Sequence, residues 1–238
     1  MHLTDLLHKI VPSPADIVTT DISGLAFNSA QVKQGDLFFA LPGKNFDGRD
    51  FIDDAIKRGA VAIVTDKRPF SAKQAISIPV VQTENPRQVM AKAAARFWPQ
   101  QPGLIGAVTG TNGKTSTVDF MRQIWARANW SSISIGTIGM RGDSINRADT
   151  PISDIAQLTT PDSLNLHASI AAVAKQGVTH LALEASSHGL QQHRLDGLNI
   201  HVAGFTNLSR DHLDHHRNMD DYFAAKLQLF EDLLIEGG

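Results

Sequence analysis

Residues 104–115 decide the fold, with the sequence Leu-Ile-Gly-Ala-Val-Thr-Gly-Thr-Asn-Gly-Lys-Thr. The first five are apolar or small and have the length of a buried strand. A helical pattern follows over residues 115–128, so a glycine-rich turn joins a strand to a helix. Such a turn directs backbone N–H groups and a helix N-terminus towards a polyphosphate. The stretch therefore predicts a nucleotide-binding loop over residues 109–115.

The residue types of this loop suit ATP with Mg²⁺. Gly110 and Gly113 permit a tight backbone, Lys114 has the length to reach the outer phosphates, and the Thr115 hydroxyl can ligate Mg²⁺. The expected nucleotide contacts are Thr109, Gly110, Thr111, Asn112, Gly113, Lys114 and Thr115. The strict eight-residue P-loop pattern is not met, because Val108 stands where its first glycine belongs. An ordinary glycine turn between strand and helix is the alternative.

Strand-like and helical patterns alternate along the rest of the chain. Strands are predicted at 18–27, 35–40, 60–64, 78–81, 104–108, 132–135, 180–183 and 201–205, and helices at 51–58, 85–97, 115–128, 163–176 and 219–234. This alternation predicts an α/β fold with mostly parallel sheets and right-handed crossovers. Residues 99–103 are the best linker candidate. We expect a small α/β domain over 1–100 and a P-loop-type ATPase domain, incomplete, over 101–238.

Composition and charge exclude several classes of protein. The chain has 238 residues, no cysteine and a formal net charge of −2. Disulfides, thiolate metal sites and a cysteine nucleophile are therefore excluded, and nothing indicates a nucleic-acid partner. No apolar run approaches the roughly 18 residues of a membrane span, and the first residues do not form a signal-peptide pattern. We expect a cytoplasmic protein without membrane insertion.

The loop sequence Thr-Gly-Thr-Asn-Gly-Lys-Thr resembles that of the Mur ligase family, ATP-dependent enzymes that build the peptide of bacterial peptidoglycan. Further matching segments occur in the family order at residues 136–139, 158–162, 184–190 with Arg194, 205–214 and 222–226. They narrow the resemblance to the branch that adds the third amino acid. The resemblance implies that ATP phosphorylates the carboxylate of UDP-N-acetylmuramoyl-L-alanyl-D-glutamate, and that an amino acid amine attacks the acyl phosphate. The amino acid in this branch is usually meso-diaminopimelate, which we favour, or L-lysine.

The resemblance also implies two Mg²⁺ sites. Glu184 and Thr115 would hold one ion, and His212, supported by Asp211, would ligate the second. Lys226 would be carbamylated by CO₂ and become a carboxylate-like metal ligand, so the expected catalytic residues are Lys114, His212 and Lys226. Without the resemblance, a strand-end glutamate and a helix lysine are more often solvated charges. The cluster at 211–216 has two further interpretations, a zinc site formed by its histidines and a polar surface loop.

Substrate contacts are expected on both sides of the linker. The resemblance places the muramoyl peptide against Thr159, Thr160, Ser186, Gln192 and Arg194. A helix cap at Asp162 is the other interpretation of residues 159–162, and both can hold. The UDP end is expected against Ser29, Lys44 and Asn45, although Asn28 and Ala30 stand where the family usually has Asp and Arg. A polar loop that caps the helix at Phe51 is an alternative for residues 44–49.

Family members of this branch are roughly twice as long as this sequence. The later strands of the ATPase domain and the C-terminal domain that selects the amino acid are absent from it, so we expect a weak or inactive ligase from this chain alone. We expect a monomer for the full-length protein. A folylpolyglutamate-synthase-like ligase is a second enzyme interpretation, and a non-catalytic remnant that binds UDP-muramoyl peptide and ATP is a third hypothesis.

Overall fold

The computed structural model describes residues 1–12, 20–43, 46–70, 76–142, 159–210 and 216–237. Contacts divide the chain into two compact units, Met1–Phe97 and Trp98–Gly238. Three predicted site residues, Lys44, Asn45 and His212, lie outside the described residues, as does Asp211.

The first unit is built on a four-stranded parallel sheet of order β1-β2-β3-β4. Its elements are α1 (Leu3–Leu7), β1 (Gly24–Ala26), a 3₁₀ helix (Ser29–Gln31), β2 (Asp36–Ala40), a second 3₁₀ helix (Gly48–Phe51), α2 (Ile52–Lys57), β3 (Ala62–Asp66), β4 (Val80–Thr83) and α3 (Pro86–Phe97). All residues of β2 and β3 are buried, as the continuous apolar runs predict for central parallel strands. Since the strands are parallel, their carboxyl ends meet at one edge of the sheet.

Turn and cap residues fix where the helices of this unit begin and end. The side chain of Asn85 accepts a hydrogen bond from the Gln88 N–H, 3.2 Å away, and so caps α3. Gly59 has φ +108°, a conformation that favours glycine, and ends the helical backbone after α2. Helix α2 is one residue shorter at each end than the predicted helix over 51–58, because Phe51 ends the preceding 3₁₀ helix and Arg58 is the C-cap.

The second unit contains a five-stranded sheet of order β7-β6-β8-β5-β9. Its elements are β5 (Leu104–Thr109), α4 (Lys114–Arg127), β6 (Ser132–Gly136), β7 (Gly139–Arg141), α5 (Ser163–Lys175), β8 (His180–Glu184), α6 (Ser187–Gln191), β9 (Val202–Phe205), α7 (Met219–Gln228) and a π-helical segment (Leu229–Leu233). Strands β6, β8, β5 and β9 run parallel, which confirms the predicted α/β class. Strand β7 pairs antiparallel with β6 and was not predicted.

The register of the central strands positions the site. Glu184, the last residue of β8, pairs with Val108 of β5, and Leu183 pairs with Ile135 of β6. The carboxyl ends of β5, β6 and β8 therefore meet at one edge, directly beside the start of α4. Ligands of open parallel sheets bind at such an edge. Within the described ranges, no helix has the length and apolar character needed to cross a membrane.

Candidate active site

The predicted phosphate loop has the backbone that anion binding requires. Gly113 has φ +86° and precedes the first residue of α4, so the helix N-terminus opens at the loop. Gly110 has φ +137°, and a Cβ there would lie 2.0 Å from Thr206 Oγ1. Both positions therefore require glycine, for conformation at Gly113 and for conformation and space at Gly110.

Three polar side chains of the loop have distinct surroundings. Lys114 folds over the loop, and its Nζ donates to the carbonyls of Gly110 at 2.9 Å and Thr111 at 2.8 Å. The hydroxyl of Thr109 is buried at the end of β5 and has no hydrogen-bond partner within the described part of the chain. Thr115 is partly buried in the first turn of α4.

The segment after β9 holds the loop in place. The side chain of Asn207 accepts from the Asn112 N–H at 3.1 Å and donates to the Asn112 carbonyl at 3.1 Å. Thr206 Oγ1 donates to the same carbonyl at 2.6 Å, and the Thr111 N–H donates to the Asn207 carbonyl at 2.8 Å. Sequence reasoning matched residues 205–214 to the family but gave Thr206 and Asn207 no role. Only the strand order brings them beside the loop.

Glu184 is a completely buried carboxylate at the end of β8. Its Oε1 accepts from the Thr137 N–H at 2.9 Å, and the Thr137 hydroxyl lies 3.2 Å from its Oε2. Among the described residues, no cationic side chain forms an ion pair with it. Buried charges in proteins are paired or coordinate metals. This donor set fits the Mg²⁺ expected at Glu184.

The described residues contain no cluster of three or more His, Cys, Asp or Glu side chains suited to a metal. The expected ligand set includes a threonine hydroxyl and a modified lysine, which are other groups, and it includes His212, which lies outside the described residues. The four proposed metal ligands Thr115, Glu184, His212 and Lys226 are thus placed only in part.

Lys226 lies in the last turn of α7, with 1% of its surface exposed. Its Nζ donates to the Gly110 carbonyl at 2.8 Å and lies 4.2 Å from the centre of the Tyr222 ring. The alternative of a solvated helix lysine is therefore wrong, and the structure brings Lys226 against the phosphate loop. The Tyr222 hydroxyl lies 3.2 Å from Thr111 Oγ1, a second contact between α7 and the loop that sequence reasoning missed.

His216 is buried and packs against other side chains. Its Nε2 lies 3.0 Å from the Ser187 hydroxyl, and its ring packs on Tyr222 with 5.1 Å between centroids. The zinc alternative would use this histidine, which the structure places between α6 and α7, together with His212 and His215, which lie outside the described residues.

The residues expected to contact the muramoyl peptide gather around the end of β8. Thr160 Oγ1 donates to the Glu184 carbonyl at 2.9 Å and lies 2.9 Å from Ser186 Oγ. Arg194 Nη1 donates to the Thr160 carbonyl at 2.5 Å, and Gln192 Oε1 accepts from Arg194 at 2.8 Å. The fifth member, Thr159, contacts Thr137, with 3.1 Å between the hydroxyls.

Two of these segments also cap helices. The Asp162 carboxylate accepts from the Asn165 N–H at 3.0 Å and caps α5, as the alternative for residues 159–162 predicts. Ser186 Oγ accepts from the Gly189 N–H at 3.0 Å and caps α6. The cap at Asp162 leaves the Thr159 and Thr160 hydroxyls on the side of Glu184, so the two interpretations are compatible.

In the first unit, Ser29 is buried at the start of a 3₁₀ helix that Asn28 caps through the Ala30 N–H, 3.0 Å away. Asn28 thus has a structural role in the position where the family usually has Asp. A cavity of about 440 Å³ lies at the carboxyl ends of β3 and β4 and is lined by Pro42, Asp66, Lys67, Arg68, Glu84, Asn85, Pro86 and Arg87. Burial lowers the pKa of Arg87.

An ion-pair network joins the segment after β2 to the end of β3. Asp47 pairs with Arg49 and, at 3.4 Å, with Arg68, and both arginines also pair with Asp66. The hydrogen bonds from Arg49 lower the pKa of Asp47 to about 2, against the effect of burial. The charges of residues 47–49 therefore stabilise this unit. Asp47 also caps the 3₁₀ helix that ends at Phe51, which agrees with the alternative of a polar capping loop.

Comparison with known proteins identifies the family. Residues 108–237 match the Mur ligase middle domain, and residues 21–98 match the domain described as Mur ligase family, catalytic domain. The chain therefore belongs to the Mur ligase family.

Curated relatives and solved structures agree with this assignment. The chain is 48% identical over 238 residues to UDP-N-acetylmuramoyl-L-alanyl-D-glutamate–2,6-diaminopimelate ligase of Bradyrhizobium diazoefficiens, covering 100% of this chain and 47% of the relative. It is 46% identical over 232 residues to the ligase of the same name from Brucella melitensis, covering 98% and 45%. The chain thus spans about half the length of the curated relatives it matches.

A solved structure of a UDP-N-acetylmuramoyl-L-alanyl-D-glutamate–2,6-diaminopimelate ligase superposes with a TM-score of 0.77 and 29% identity, covering 97% of this chain and 45% of that one. The MurF ligase of Thermotoga maritima, solved in complex with ADP, shares the fold with a TM-score of 0.52 and 22% identity, covering 88% and 43%.

Proposed function

We propose that this chain supplies the ATP-binding and UDP-muramoyl-dipeptide-binding parts of a ligase that joins 2,6-diaminopimelate to UDP-N-acetylmuramoyl-L-alanyl-D-glutamate. The observation that carries the proposal is the buried Glu184 carboxylate, which lies beside a phosphate loop and has no cationic partner among the described residues. The reaction brings a substrate carboxylate to a triphosphate, so cations must neutralise the two anions. The names of the relatives supply the substrates.

In this proposal residues 109–115 bind the phosphates of ATP, and Lys114 turns from the loop carbonyls to the outer phosphates. Thr115 and Glu184 hold a Mg²⁺ ion, which screens the phosphate charge when bound. His212 and a carbamylated Lys226 hold a second ion. Carbamylation converts a cation into an anion and leaves one N–H on Nζ, so the present hydrogen bond from Lys226 to the Gly110 carbonyl would lose its cationic donor. Native mass spectrometry at neutral pH tests for a mass increase of one CO₂ that depends on Lys226.

The residues proposed to bind the substrate form two groups, one for the muramoyl peptide and one for UDP. Thr159, Thr160, Ser186, Gln192 and Arg194 contact the muramoyl peptide, whose carboxylates suit the Arg194 guanidinium. Ser29, Lys44 and Asn45 contact the UDP end. The peptide carboxylate is phosphorylated, and the amine of diaminopimelate displaces the phosphate to form the amide bond.

Substitution of Lys114 tests the nucleotide site. We expect Lys114→Ala to weaken Mg²⁺·ATP binding by about 10- to 100-fold, since a hydrogen bond to a charged group contributes about 1.5–3 kcal/mol. Isothermal titration calorimetry on the 238-residue chain measures this affinity. Lys175→Ala in the exposed last turn of α5 is the matched control and keeps the wild-type affinity.

Substrate binding and product formation complete the test. UDP-N-acetylmuramoyl-L-alanyl-D-glutamate should bind more tightly than UDP-N-acetylmuramic acid, because only the first presents the peptide to residues 159–194. Liquid chromatography with mass detection follows tripeptide product after ATP and diaminopimelate are added. A folded chain that binds neither Mg²⁺·ATP nor the muramoyl dipeptide would refute the proposal.

A further inference from the structure

Thr137 supplies both hydrogen bonds that the Glu184 carboxylate receives from the described residues. The backbone N–H lies 2.9 Å from Oε1 and the hydroxyl 3.2 Å from Oε2, so each carboxylate oxygen has one donor from the same residue. Glu184 is fully buried, whereas Thr137 is exposed at the edge of the sheet. Each oxygen keeps a further lone pair for another partner, because a carboxylate oxygen accepts more than one bond.

The hydroxyl of Thr137 has two possible acceptors. It lies 3.1 Å from Thr159 Oγ1 as well as 3.2 Å from Glu184 Oε2. A hydroxyl donates a single hydrogen, and hydrogen bonds to an ionised carboxylate are about twice as strong as those between neutral groups. We therefore assign the hydrogen to Glu184.

The local fold gives Thr137 a fixed position. It begins the two-residue turn between β6 and the antiparallel strand β7, where Gly136 pairs with Gly139. Gly139 has φ +76°, which the turn requires. A Cβ on Gly136 would lie 2.0 Å from Glu184 Oε1, so the glycine admits the carboxylate against the turn. The hairpin and the glycine together bring the Thr137 donors onto Glu184.

We propose that Thr137 is a positioning residue that orients the Glu184 carboxylate for the divalent ion bound with the nucleotide. The proposal rests on the proposed function, which assigns that ion to Glu184. The hydroxyl is the replaceable part of the interaction, because the backbone N–H persists in every variant except proline. Residues that orient a metal ligand typically alter metal affinity by about 10- to 100-fold when they are replaced.

Thr137→Val removes the hydroxyl and keeps the shape, and Thr137→Ser restores the hydroxyl. The control is Thr179→Val, which makes the same change at the opposite end of β8, where the hydroxyl donates to the Ser131 carbonyl at 3.1 Å. Electron paramagnetic resonance measures Mn²⁺ binding to the 238-residue chain in the presence of saturating ADP. We expect Thr137→Val to weaken Mn²⁺ binding about 10-fold. Thr137→Ser and Thr179→Val should stay within about 2-fold of wild type, since both keep the hydroxyl at 137.

Two results would overturn the proposal. The first is wild-type Mn²⁺ affinity in Thr137→Val; if the melting temperature of this variant were also lowered, the role of Thr137 would be purely structural. The second comes from Glu184→Gln, which separates this proposal from the proposed function. If it also keeps the wild-type affinity, the metal assignment of the proposed function fails, and the role of Thr137 fails with it. If Glu184→Gln weakens Mn²⁺ binding and Thr137→Val does not, only the role of Thr137 is refuted.

Discussion

Asp66 and Glu184 occupy the same place in two different sheets and have opposite surroundings. Each is the last residue of a buried parallel strand, β3 in the first unit and β8 in the second, and they are 8% and 0% exposed. Asp66 accepts from Arg68 Nη2 at 2.5 Å and Nε at 2.9 Å, and Arg49 Nη1 lies 3.4 Å away. Glu184 accepts only from the uncharged donors of Thr137 among the described residues.

The comparison shows that strand position alone does not define a functional carboxylate. The charge of Asp66 is neutralised by arginines of the chain itself, so the residue stabilises the fold. The charge of Glu184 has no such partner in the described structure and is available to a cation. The partners of each carboxylate, rather than its place in the sheet, distinguish an ion pair from a metal ligand.

The largest expected effect is at Glu184. Glu184→Gln keeps the side-chain shape and removes the charge. We expect the affinity for Mg²⁺ in the presence of nucleotide to fall about 100-fold, because a buried metal site loses a charged ligand. The free energy of unfolding without metal should change by less than about 1 kcal/mol, because removing a buried charge that has no ion-pair partner among the described residues offsets the loss of one hydrogen bond from Thr137. Calorimetric titration and urea unfolding measure the two quantities. A large loss of stability with unchanged metal affinity would place Glu184 in the same structural class as Asp66.

Asp66→Asn is the matched substitution in the first unit and should have the opposite outcome. Removal of the buried carboxylate from this partly exposed ion-pair network leaves Arg68 and Arg49 less well neutralised, and we expect the free energy of unfolding to fall by about 1.5 kcal/mol. Nucleotide and metal affinity should remain at the wild-type value. Urea unfolding of Asp66→Asn and Glu184→Gln under the same conditions compares the two losses of unfolding free energy. A fall in Mg²⁺·ATP affinity in Asp66→Asn would break the contrast between the two carboxylates.

Local patterns were sufficient to predict most of the fold. The apolar run before the phosphate loop, the glycines within it and the helical spacing after it are encoded within a few residues, and the structure confirms a strand, a turn and a helix there. Strand β7 was missed because three residues in an antiparallel hairpin carry too little periodicity. The helix predicted over 219–234 ends at Gln228 and continues as a π-helical segment, a change of hydrogen-bond pattern that apolar spacing does not reveal.

The site was predicted less completely because its contacts join distant parts of the chain. Thr137 meets Glu184, Asn207 meets Asn112, and Tyr222 meets Thr111, each across 47 or more positions. No local pattern contains such pairs, since the sheet order creates them. Only the family resemblance indicates Lys226 as a site residue, and nothing in the sequence of its own helix predicts its burial.

The smallest expected effect is the pH dependence of stability that comes from Asp47, which belongs to the same ion-pair network as Asp66. The hydrogen bonds from Arg49 hold the pKa of Asp47 at about 2, below its ordinary value of 3.8. A lowered pKa in the folded state means that the ionised form is stabilised by folding, so this contribution is complete above pH 3.8 and is lost as the pH falls towards 2.

After allowance for the partial exposure of Asp47, we expect Asp47→Asn to lower the free energy of unfolding by about 1 kcal/mol at pH 6. Urea unfolding of wild type and variant from pH 6 to pH 2 should show this difference closing, with or without Mg²⁺, because the ion pair lies within the first unit. A difference that stays constant down to pH 2 would show that the Asp47 charge does not stabilise the first unit. Neutralisation by Arg49 and Arg68 would then not explain the role of this ion-pair network.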